Sequence, residues 1–167
     1  MEKKPLWAPW RMEYILSPKP KGCIFCDFPA APEADDRKNL VAHRSERAFT
    51  CLNRYPYISG HIMVIPHAHV SDLGALSRED FHELEDELRR AVAVLQKAYR
   101  PDGLNVGMNL GRAAGSGIDD HLHWHVVPRW VGDNNYMAVV ADQRVIVEAL
   151  DQTWERLRAG FEAAAKP

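Results

Sequence analysis

The segment HLHWHVV at residues 121–127 alternates histidine with apolar residues. Side chains two positions apart share one face of a β-strand. The alternation therefore predicts a strand over residues 121–127 with three imidazoles on one face, those of His121, His123 and His125. The core residues of the other face are Leu122, Trp124 and Val126. Such a strand requires a sheet with one buried face and one face that is available for chemistry.

The other apolar runs predict an antiparallel sheet. LVAHRSERAFTCLN is expected to form a hairpin that turns near HRSE, with Phe49 and Cys51 on one face of its second arm. The run HIMVIPHAHV is broken at Pro66, and further strands are expected at 104–110 and 136–141. With two main helices between and after these strands, the order indicates an α+β fold whose antiparallel sheet has about five strands.

Both helices show apolar residues at helical spacing. The first is expected at about 78–99, begun by Ser77 with Asp80 as its cap and ended by Pro101. The second is expected to begin at Asp142. Its apolar face would carry Ile146, Leu150, Trp154, Leu157 and Phe161.

Length and charge limit the class of protein. The 167 residues suit a single domain over 1–167. The segment 1–22, rich in tryptophan and proline, is expected to pack on the body or on a second subunit. A formal net charge of −2 makes nucleic acid a poor partner. No apolar run approaches the roughly 20 residues that span a bilayer, and no secretory signal is visible. A cytoplasmic location is therefore expected.

Three interpretations of the histidine row are open. The first is that the three histidines only occupy the solvent-exposed face of a strand. It is disfavoured, because histidine is uncommon. A metal held by all three is geometrically awkward, because His121 and His125 would lie roughly 13 Å apart on a strand, whereas zinc–nitrogen bonds are ~2.0–2.1 Å. The third interpretation lays the row along an extended anionic substrate. A neutral imidazole attacks phosphorus and its neighbours donate hydrogen bonds. His123, flanked on both sides, is then the natural attacker.

The loop NLGRAAGSG before this segment supports a phosphate substrate. Gly111, Gly115 and Gly117 allow close approach of the backbone to a ligand, and exposed N–H groups there can cradle phosphate oxygens. The loop lacks G-K-[ST], so it is not a Walker loop. Many glycine-rich loops are only turns.

These features together resemble the histidine triad (HIT) superfamily of nucleotide hydrolases and transferases. HLHWHVV matches its His-φ-His-φ-His-φ-φ signature, FTCLNRYPYISGHIMVIPHAHV its upstream strand pair, and GLNVGMNLGRAAGSG its substrate loop. The tryptophan-rich start, HVVPRW and YMAVVADQRVIVEAL resemble the longer branch that includes diadenosine polyphosphate phosphorylases. The resemblance covers nearly the whole chain and implies a HIT-like fold.

The resemblance also implies residue roles. His123 would be the nucleophile, His125 would hydrogen-bond the phosphate, and His121 would orient the site and ligate metal. Further residues are implied in nucleotide or phosphate binding: Asn53 (ribose), Asn109, Gly115, Ser116 and Gly117 (phosphates), His61 (beside the triad) and Trp130 (a base or a neighbouring subunit). Asn109 and Ser116 stand where related enzymes place glutamines, so the side chains near the phosphates are shorter here.

A structural zinc ion is expected at the C-x-x-C of CIFC, which resembles the zinc half-site of many bacterial members. Cys23 and Cys26 would be joined by His69 and His121, with His67 as an alternative third ligand. The competing interpretation is a pair of reduced thiols without metal. Three other residues are expected to lie outside the site. Cys51 is expected in the core, and His43 and His82 are expected at the surface.

The resemblance implies an enzyme that cleaves the α-phosphate linkage of diadenosine polyphosphates or related adenine nucleotides through a nucleotidyl-histidine, with water or phosphate as acceptor. One alternative is a phosphoramidase acting on AMP joined to an amine. Others are a nucleotide-binding regulatory protein with incidental activity, and a zinc-centred structural module. A homodimer through sheet continuation, or a higher oligomer, is also implied.

Overall fold

The fold is built on an antiparallel sheet of five strands. The structure is a computed structural model that describes residues 22–133 and 148–165. The strands run in the order β1-β2-β3-β5-β4. Their bounds are β1 Val41–Arg44, β2 Ala48–Leu52, β3 Ile62–Pro66, β4 Gly103–Met108 and β5 Trp124–Arg129. The α+β class with an antiparallel sheet of five strands is thereby confirmed.

Four α-helices lie within the described ranges: α1 Ile24–Ala30, α2 Asp36–Asn39, α3 Arg78–Tyr99 and α4 Leu150–Ala164. None of these helices is long and apolar enough to cross a membrane. Short 3-10 helices occupy Glu33–Asp35, Leu73–Ala75 and Arg112–Ala114. Three predictions fall outside the described residues: the packing of segment 1–21, the strand at 136–141 and the cap at Asp142.

Helices pack on both faces of the sheet, while the edge strand β4 is largely exposed. Helices α3 and α4 pack on one face around a core that includes Leu52, Val64 and Val126. Helix α1 packs on the other face, whose core residues are Phe25, Val41, Phe49, Cys51, Met63 and Ile65. Phe49 and Cys51 share that face, as the hairpin prediction required. Because His125 pairs with Met63 across β3 and β5, the histidine row opens on the α1 face.

Helix α3 has the predicted bounds. The hydroxyl of Ser77 accepts a hydrogen bond of 3.0 Å from the backbone N of Asp80, so the predicted cap is confirmed. The helix ends at Arg100, which has a left-handed φ of 46°. The following Pro101 explains this end, because a residue before proline is disfavoured in the right-handed helical conformation.

Helix α4 begins later than predicted. Ala149 is extended, with ψ of 149°, so the helix starts at Leu150 rather than after Asp142. Glu148 explains the delay: its backbone N donates to Ser59, while its carboxylate accepts from Thr153 at 2.9 Å and Arg156 at 2.6 Å. These bonds hold Glu148 outside the helix, one residue before the N-cap Ala149.

A buried glutamate joins α3 to the sheet, and the sequence did not reveal it. Glu87 is fully buried and accepts hydrogen bonds from His43 at 3.0 Å and from Thr50 and Arg90. Burial alone would raise the pKa of Glu87, but the bonds from His43 and Thr50 and the nearby positive charge bring it below its ordinary value. The surface prediction for His43 is therefore wrong, because its ring also stacks on Phe161. His82 is exposed, as predicted.

Replacing Glu87 by alanine is expected to lower the free energy of unfolding by about 3 kcal/mol, because the change leaves buried donors without an acceptor. Urea unfolding of both proteins measures the difference. The control is Glu85→Ala on an exposed face of α3, which is expected to change stability by no more than about 0.5 kcal/mol. Equal effects of the two substitutions would contradict the assignment.

Candidate active site

The histidine segment enters the sheet later than predicted. β5 begins at Trp124, where its ladder with β3 ends at Val64. The backbone N of Leu122 instead bonds the carbonyl of Val70 at 2.8 Å. Pro66 contributes to this, because it ends β3 and has no N–H for further pairing. The prediction of a strand from residue 121 is thus wrong, and His121 and His123 lie in the loop that leads into β5.

The three imidazoles nevertheless lie on the same side of the sheet. The Phe25 ring centroid is 5.6 Å from that of His121 and 5.2 Å from that of His123. The rings of His123 and His125 are 5.0 Å apart. On the opposite face, Val126 is buried in the core under α3 and α4. The predicted alternation, with histidines on one face and core residues on the other, is therefore retained.

His123 is held in one tautomer by its own loop. Its Nδ1 lies 2.9 Å from the carbonyl oxygen of His121. Because a carbonyl only accepts hydrogen bonds, Nδ1 carries the proton and Nε2 keeps a free lone pair. Burial lowers the pKa of His123, partly offset by this bond. The ring is therefore a neutral imidazole with Nε2 as its basic atom.

His125 is oriented by a relay from the backbone. The N–H of Tyr57 donates to His61 Nδ1 at 3.1 Å, so His61 carries its proton on Nε2. That Nε2 lies 2.9 Å from His125 Nδ1 and donates to it. His125 then carries its proton on Nε2, which makes that atom a hydrogen-bond donor. His61, a predicted neighbour of the row, is thus placed directly behind it.

Acid is expected to destabilise the protein through His125. Burial, and after it the proximity of the titratable His123 ring, lower the pKa of His125 to about 4, whereas an unfolded histidine titrates at ~6.5. Between these values the unfolded chain binds more protons, so the free energy of unfolding falls as the pH drops from about 6.5 toward 4.

Urea unfolding at pH 7.5 and pH 5 measures this effect. His125→Gln is expected to lose less stability between the two pH values than the wild-type chain. The control His82→Gln changes an exposed histidine and is expected to lose as much as the wild type. An unchanged loss in His125→Gln would contradict the role of His125.

His121 belongs to a separate cluster of four ligands. Its Nε2 lies 2.9 Å from the carbonyl oxygen of Pro66 and donates to it, which leaves Nδ1 unprotonated. That Nδ1 lies 3.3 Å from Cys23 Sγ and 3.7 Å from Cys26 Sγ, and Cys26 Sγ lies 3.3 Å from His69 Nδ1. The four ligand atoms all lie within 4.8 Å of one another. Among the described residues His69, and not His67, joins this cluster.

The geometry of this cluster fits a tetrahedral metal ion. Zinc bonds of ~2.3 Å to sulfur and ~2.0 Å to nitrogen give nitrogen–sulfur edges of about 3.5 Å in a tetrahedron, close to the separations observed. Two thiolates and two neutral imidazoles are also the ligand types that zinc prefers. The site can therefore hold a metal ion, and its fourth position is already filled by protein.

The glycine-rich loop lies beside Asn109. Gly115 has a left-handed φ of 92°, and a Cβ there would lie 4.0 Å from Asn109 Nδ2. At Gly117 a Cβ would meet nothing within 4 Å, so the backbone of Gly117 is open to a ligand. All four predicted phosphate residues, including Ser116, thus lie in the loop that follows β4, and the structure places Gly115 against Asn109.

Hydrogen bonds within the loop already use some of the groups that are predicted to bind phosphate. The N–H of Gly115 donates to Arg112 O at 2.9 Å, and that of Ser116 donates to Gly111 O at 3.3 Å. The Ser116 hydroxyl donates to Ile118 O at 2.9 Å. These groups contact an anion only if they release or share their present acceptors.

Asn53 follows β2 and lies next to the relay histidine. Its backbone N donates to His61 O at 3.0 Å, and its Oδ1 accepts from Tyr55 N at 2.9 Å. The side-chain amide nitrogen is the group left to reach a ligand. The expected ribose contact stays a prediction.

Trp130 lies beyond the opposite end of β5 from the three histidines. It follows β5, five residues after His125, a span of about 17 Å on a strand. Its ring packs edge-on against Tyr99 at 6.4 Å, and both line a cavity of about 610 Å³ between the ends of α3 and the start of α4. A contact with a base or a neighbouring subunit stays a prediction.

Two contributors to the site were missed in the sequence. Phe25 lies between the cysteines and packs on two histidines. Tyr57 supplies the N–H that orients His61, and its ring lies 4.6 Å from that of His61. The only signal was position: Phe25 lies inside CIFC, and Tyr57 lies two positions before the SGH segment.

The chain matches known proteins over most of its length. The model of the HIT domain matches residues 35–131. A relative from Mycobacterium tuberculosis named AP-4-A phosphorylase is 38% identical over 154 residues, which cover 89% of this chain and 79% of the relative. A bis(5'-nucleosyl)-tetraphosphatase [asymmetrical] from Schizosaccharomyces pombe is 28% identical over 114 residues, which cover 68% of this chain and 58% of that protein.

A solved structure gives the same result for the fold. The crystal structure of a Zn-bound histidine triad family protein from Mycobacterium smegmatis superposes with a TM-score of 0.67 at 26% identity, covering 86% of this chain and 95% of that one. The match over more than half of the chain, together with the histidine row, assigns the family: the chain belongs to the histidine triad (HIT) family.

Proposed function

We propose that this chain is a nucleotide hydrolase or nucleotidyltransferase that cleaves the α-phosphate linkage of adenine dinucleoside polyphosphates through a covalent nucleotidyl-His123. One observation carries the proposal: His123 presents an unprotonated Nε2, while the adjacent His125 is oriented as a donor by His61. The name of the relative that is 38% identical, AP-4-A phosphorylase, supports the class of substrate.

In the first step His123 Nε2 attacks the α-phosphorus. The nitrogen–phosphorus bond forms as the bond from phosphorus to the bridging oxygen breaks, and the electron pair leaves with the departing nucleotide. Nδ1 keeps its proton on the carbonyl of His121, so the imidazole becomes cationic as it bonds. His125 Nε2–H donates to a phosphoryl oxygen and stabilises the negative charge that develops there.

In the second step the acceptor displaces AMP from His123. Water gives AMP, whereas inorganic phosphate gives ADP. The phosphoramidate is a reactive intermediate, since protonated imidazole is a good leaving group. Asn53 would contact the ribose, and the loop of Asn109, Gly115, Ser116 and Gly117 would contact the phosphates.

The metal would be zinc, held by Cys23, Cys26, His69 and His121. A bound zinc ion supplies a structural crosslink here, because the four protein ligands leave no open position for water. Cys23 is the N-cap of helix α1 and Cys26 lies in its first turn, while His121 is two residues before the nucleophile His123. The crosslink therefore fastens α1 to the loop that carries His123.

The test is incubation of the purified chain with diadenosine tetraphosphate, with and without inorganic phosphate. ADP that forms only with phosphate indicates a phosphorylase, and AMP plus ATP indicates a hydrolase. Release of AMP from an AMP–amine substrate alone would replace the proposal by phosphoramidase activity. Tight nucleotide binding without turnover of either substrate would refute catalysis.

Single-domain organisation, cytoplasmic location and the homodimer stay predictions. Strand β4 is at one edge of the sheet, and Val106 there is 44% exposed. An exposed apolar side chain on an edge strand favours a homodimer through sheet continuation. Light scattering of the pure chain measures its mass.

A further inference from the structure

We propose that Arg44 is a positioning residue for the cysteine pair. It holds the C-terminal end of α1 so that Cys23 and Cys26 face His69 and His121 before any metal binds. The proposal rests on the metal site proposed above and is independent of the nucleotide chemistry.

Helix α1 needs support from outside. It has seven residues, and a helix of that length is marginal by itself. Cys23 at its N-cap makes no side-chain capping bond. At its C-terminal end, the N–H of the C-cap residue Ala31 is shared between the carbonyls of Asp27 and Phe28, which leaves the last turn short of donors. The segment that carries the cysteine pair therefore depends on tertiary contacts for its position.

Arg44 on β1 supplies further donors to this end of the helix. Its Nη1 donates to Pro29 O at 2.8 Å, and its Nη2 donates to Phe28 O at 3.0 Å and to Ala31 O at 3.1 Å. These carbonyls form the last turn of α1 and its cap. A guanidinium there also interacts favourably with the negative end of the helix dipole.

A buried carboxylate fixes the direction of this guanidinium. Asp36 is 3% exposed and accepts from Arg44 Nε at 3.0 Å and Nη2 at 2.6 Å. On the other side, Asp36 accepts from Arg158 Nη1 of α4 at 3.2 Å. Arg44 thus joins β1, α1 and the residue that begins α2. Arg158 instead bonds Asp36 and Glu162 of its own helix.

The geometry requires arginine. A guanidinium presents N–H donors on three nitrogens in a rigid planar fork. Here all three nitrogens donate, and together they reach four residues, with the two hydrogens of Nη2 shared among three acceptors. A lysine ammonium has three donors on a flexible stem and cannot serve the carboxylate and three carbonyls together. A hydrophobic replacement would leave the carboxylate and the carbonyls without this partner.

The same helix reaches the catalytic row. Phe25 of α1 is buried and packs on His121 and His123. A shift of α1 therefore changes the packing of His123 as well as the spacing of the cysteines. Arg44 positions both without contacting either.

The test is the zinc affinity of the full chain, measured by competition with a chromophoric chelator. Arg44→Met is expected to weaken zinc binding at least about tenfold, the usual cost of losing a group that orients metal ligands. The matched control is Arg158→Met, which removes a cation from the same carboxylate but no donor to α1. It is expected to stay within about threefold of the wild type.

Alkylation of the metal-free proteins provides a second readout. Cys23 and Cys26 are expected to react faster in Arg44→Met than in the wild type, while buried Cys51 stays protected and reports that the fold is intact. Arg44→Lys serves if the methionine variant does not fold, with the same expected loss of zinc affinity.

Three results would overturn the proposal. They are unchanged zinc affinity in the Arg44 variants, equal weakening in Arg158→Met, and no zinc binding by the wild-type chain. The last result leaves the proposed nucleotide cleavage standing, because diadenosine tetraphosphate is assayed separately.

Discussion

The His123→Ala protein is expected to cleave diadenosine tetraphosphate at least about 10⁴-fold more slowly than the wild-type chain while it still binds the nucleotide. The substitution removes the only atom proposed to bond phosphorus. Binding is expected to persist, because the proposed phosphate and ribose contacts belong to other residues. The loss should therefore fall on kcat, with a change of less than about tenfold in the dissociation constant.

Two further variants make the interpretation specific. His82→Ala removes an exposed histidine on α3 and is expected to keep the full rate. His61→Ala removes the residue that orients His125 and is expected to lower kcat by about 10²-fold, the cost of a misoriented donor to the developing charge. A His123→Ala protein that keeps a tenth of the wild-type rate would show that another group attacks phosphorus.

Replacing Cys23 and Cys26 together by serine is expected to reduce bound zinc from one ion per chain to none. The loss also removes the stability that zinc binding gives to the folded state. At free zinc a thousandfold above the dissociation constant, that contribution is about 4 kcal/mol. Elemental analysis and thermal unfolding of the purified proteins measure the two effects.

The third cysteine offers a matched control for this prediction. Cys51 is fully buried in the core on the α1 face, and Cys51→Ala is expected to retain one zinc ion per chain. Its cost is a small cavity, of order 1 kcal/mol. Zinc bound equally by the double serine variant would show that the metal lies elsewhere. A wild-type chain without zinc would exclude the metal site.

The parts of the fold that follow local patterns were predictable. The hairpin of β1 and β2 and the whole of α3 have the alternation, helical spacing and capping signals that depend only on nearby residues. The start of α4 and the start of β5 depend on distant partners. Glu148 bonds Ser59, 89 positions earlier, and Leu122 bonds Val70. No local pattern contains these bonds.

The candidate site shows the same division. The histidine row and the cysteine pair are visible as spacing in the sequence. The protonation states of His121 and His123 depend on the carbonyl oxygen that each ring bonds. Those oxygens belong to Pro66 and His121, respectively. In the sequence, Glu87 is indistinguishable from the exposed charged residues of its helix. Only the fold places it against His43 and Thr50. Arg44 gives no signal at all before α1 is placed.

The most direct measurement of the central claim is identification of the adduct. The wild-type chain is mixed with diadenosine tetraphosphate without phosphate, and the reaction is stopped within milliseconds in alkaline denaturant, which preserves a phosphoramidate. Peptide mass spectrometry is expected to find AMP on His123, at up to one group per chain. Turnover without any adduct in the time course, or AMP attached to another histidine, would contradict the account.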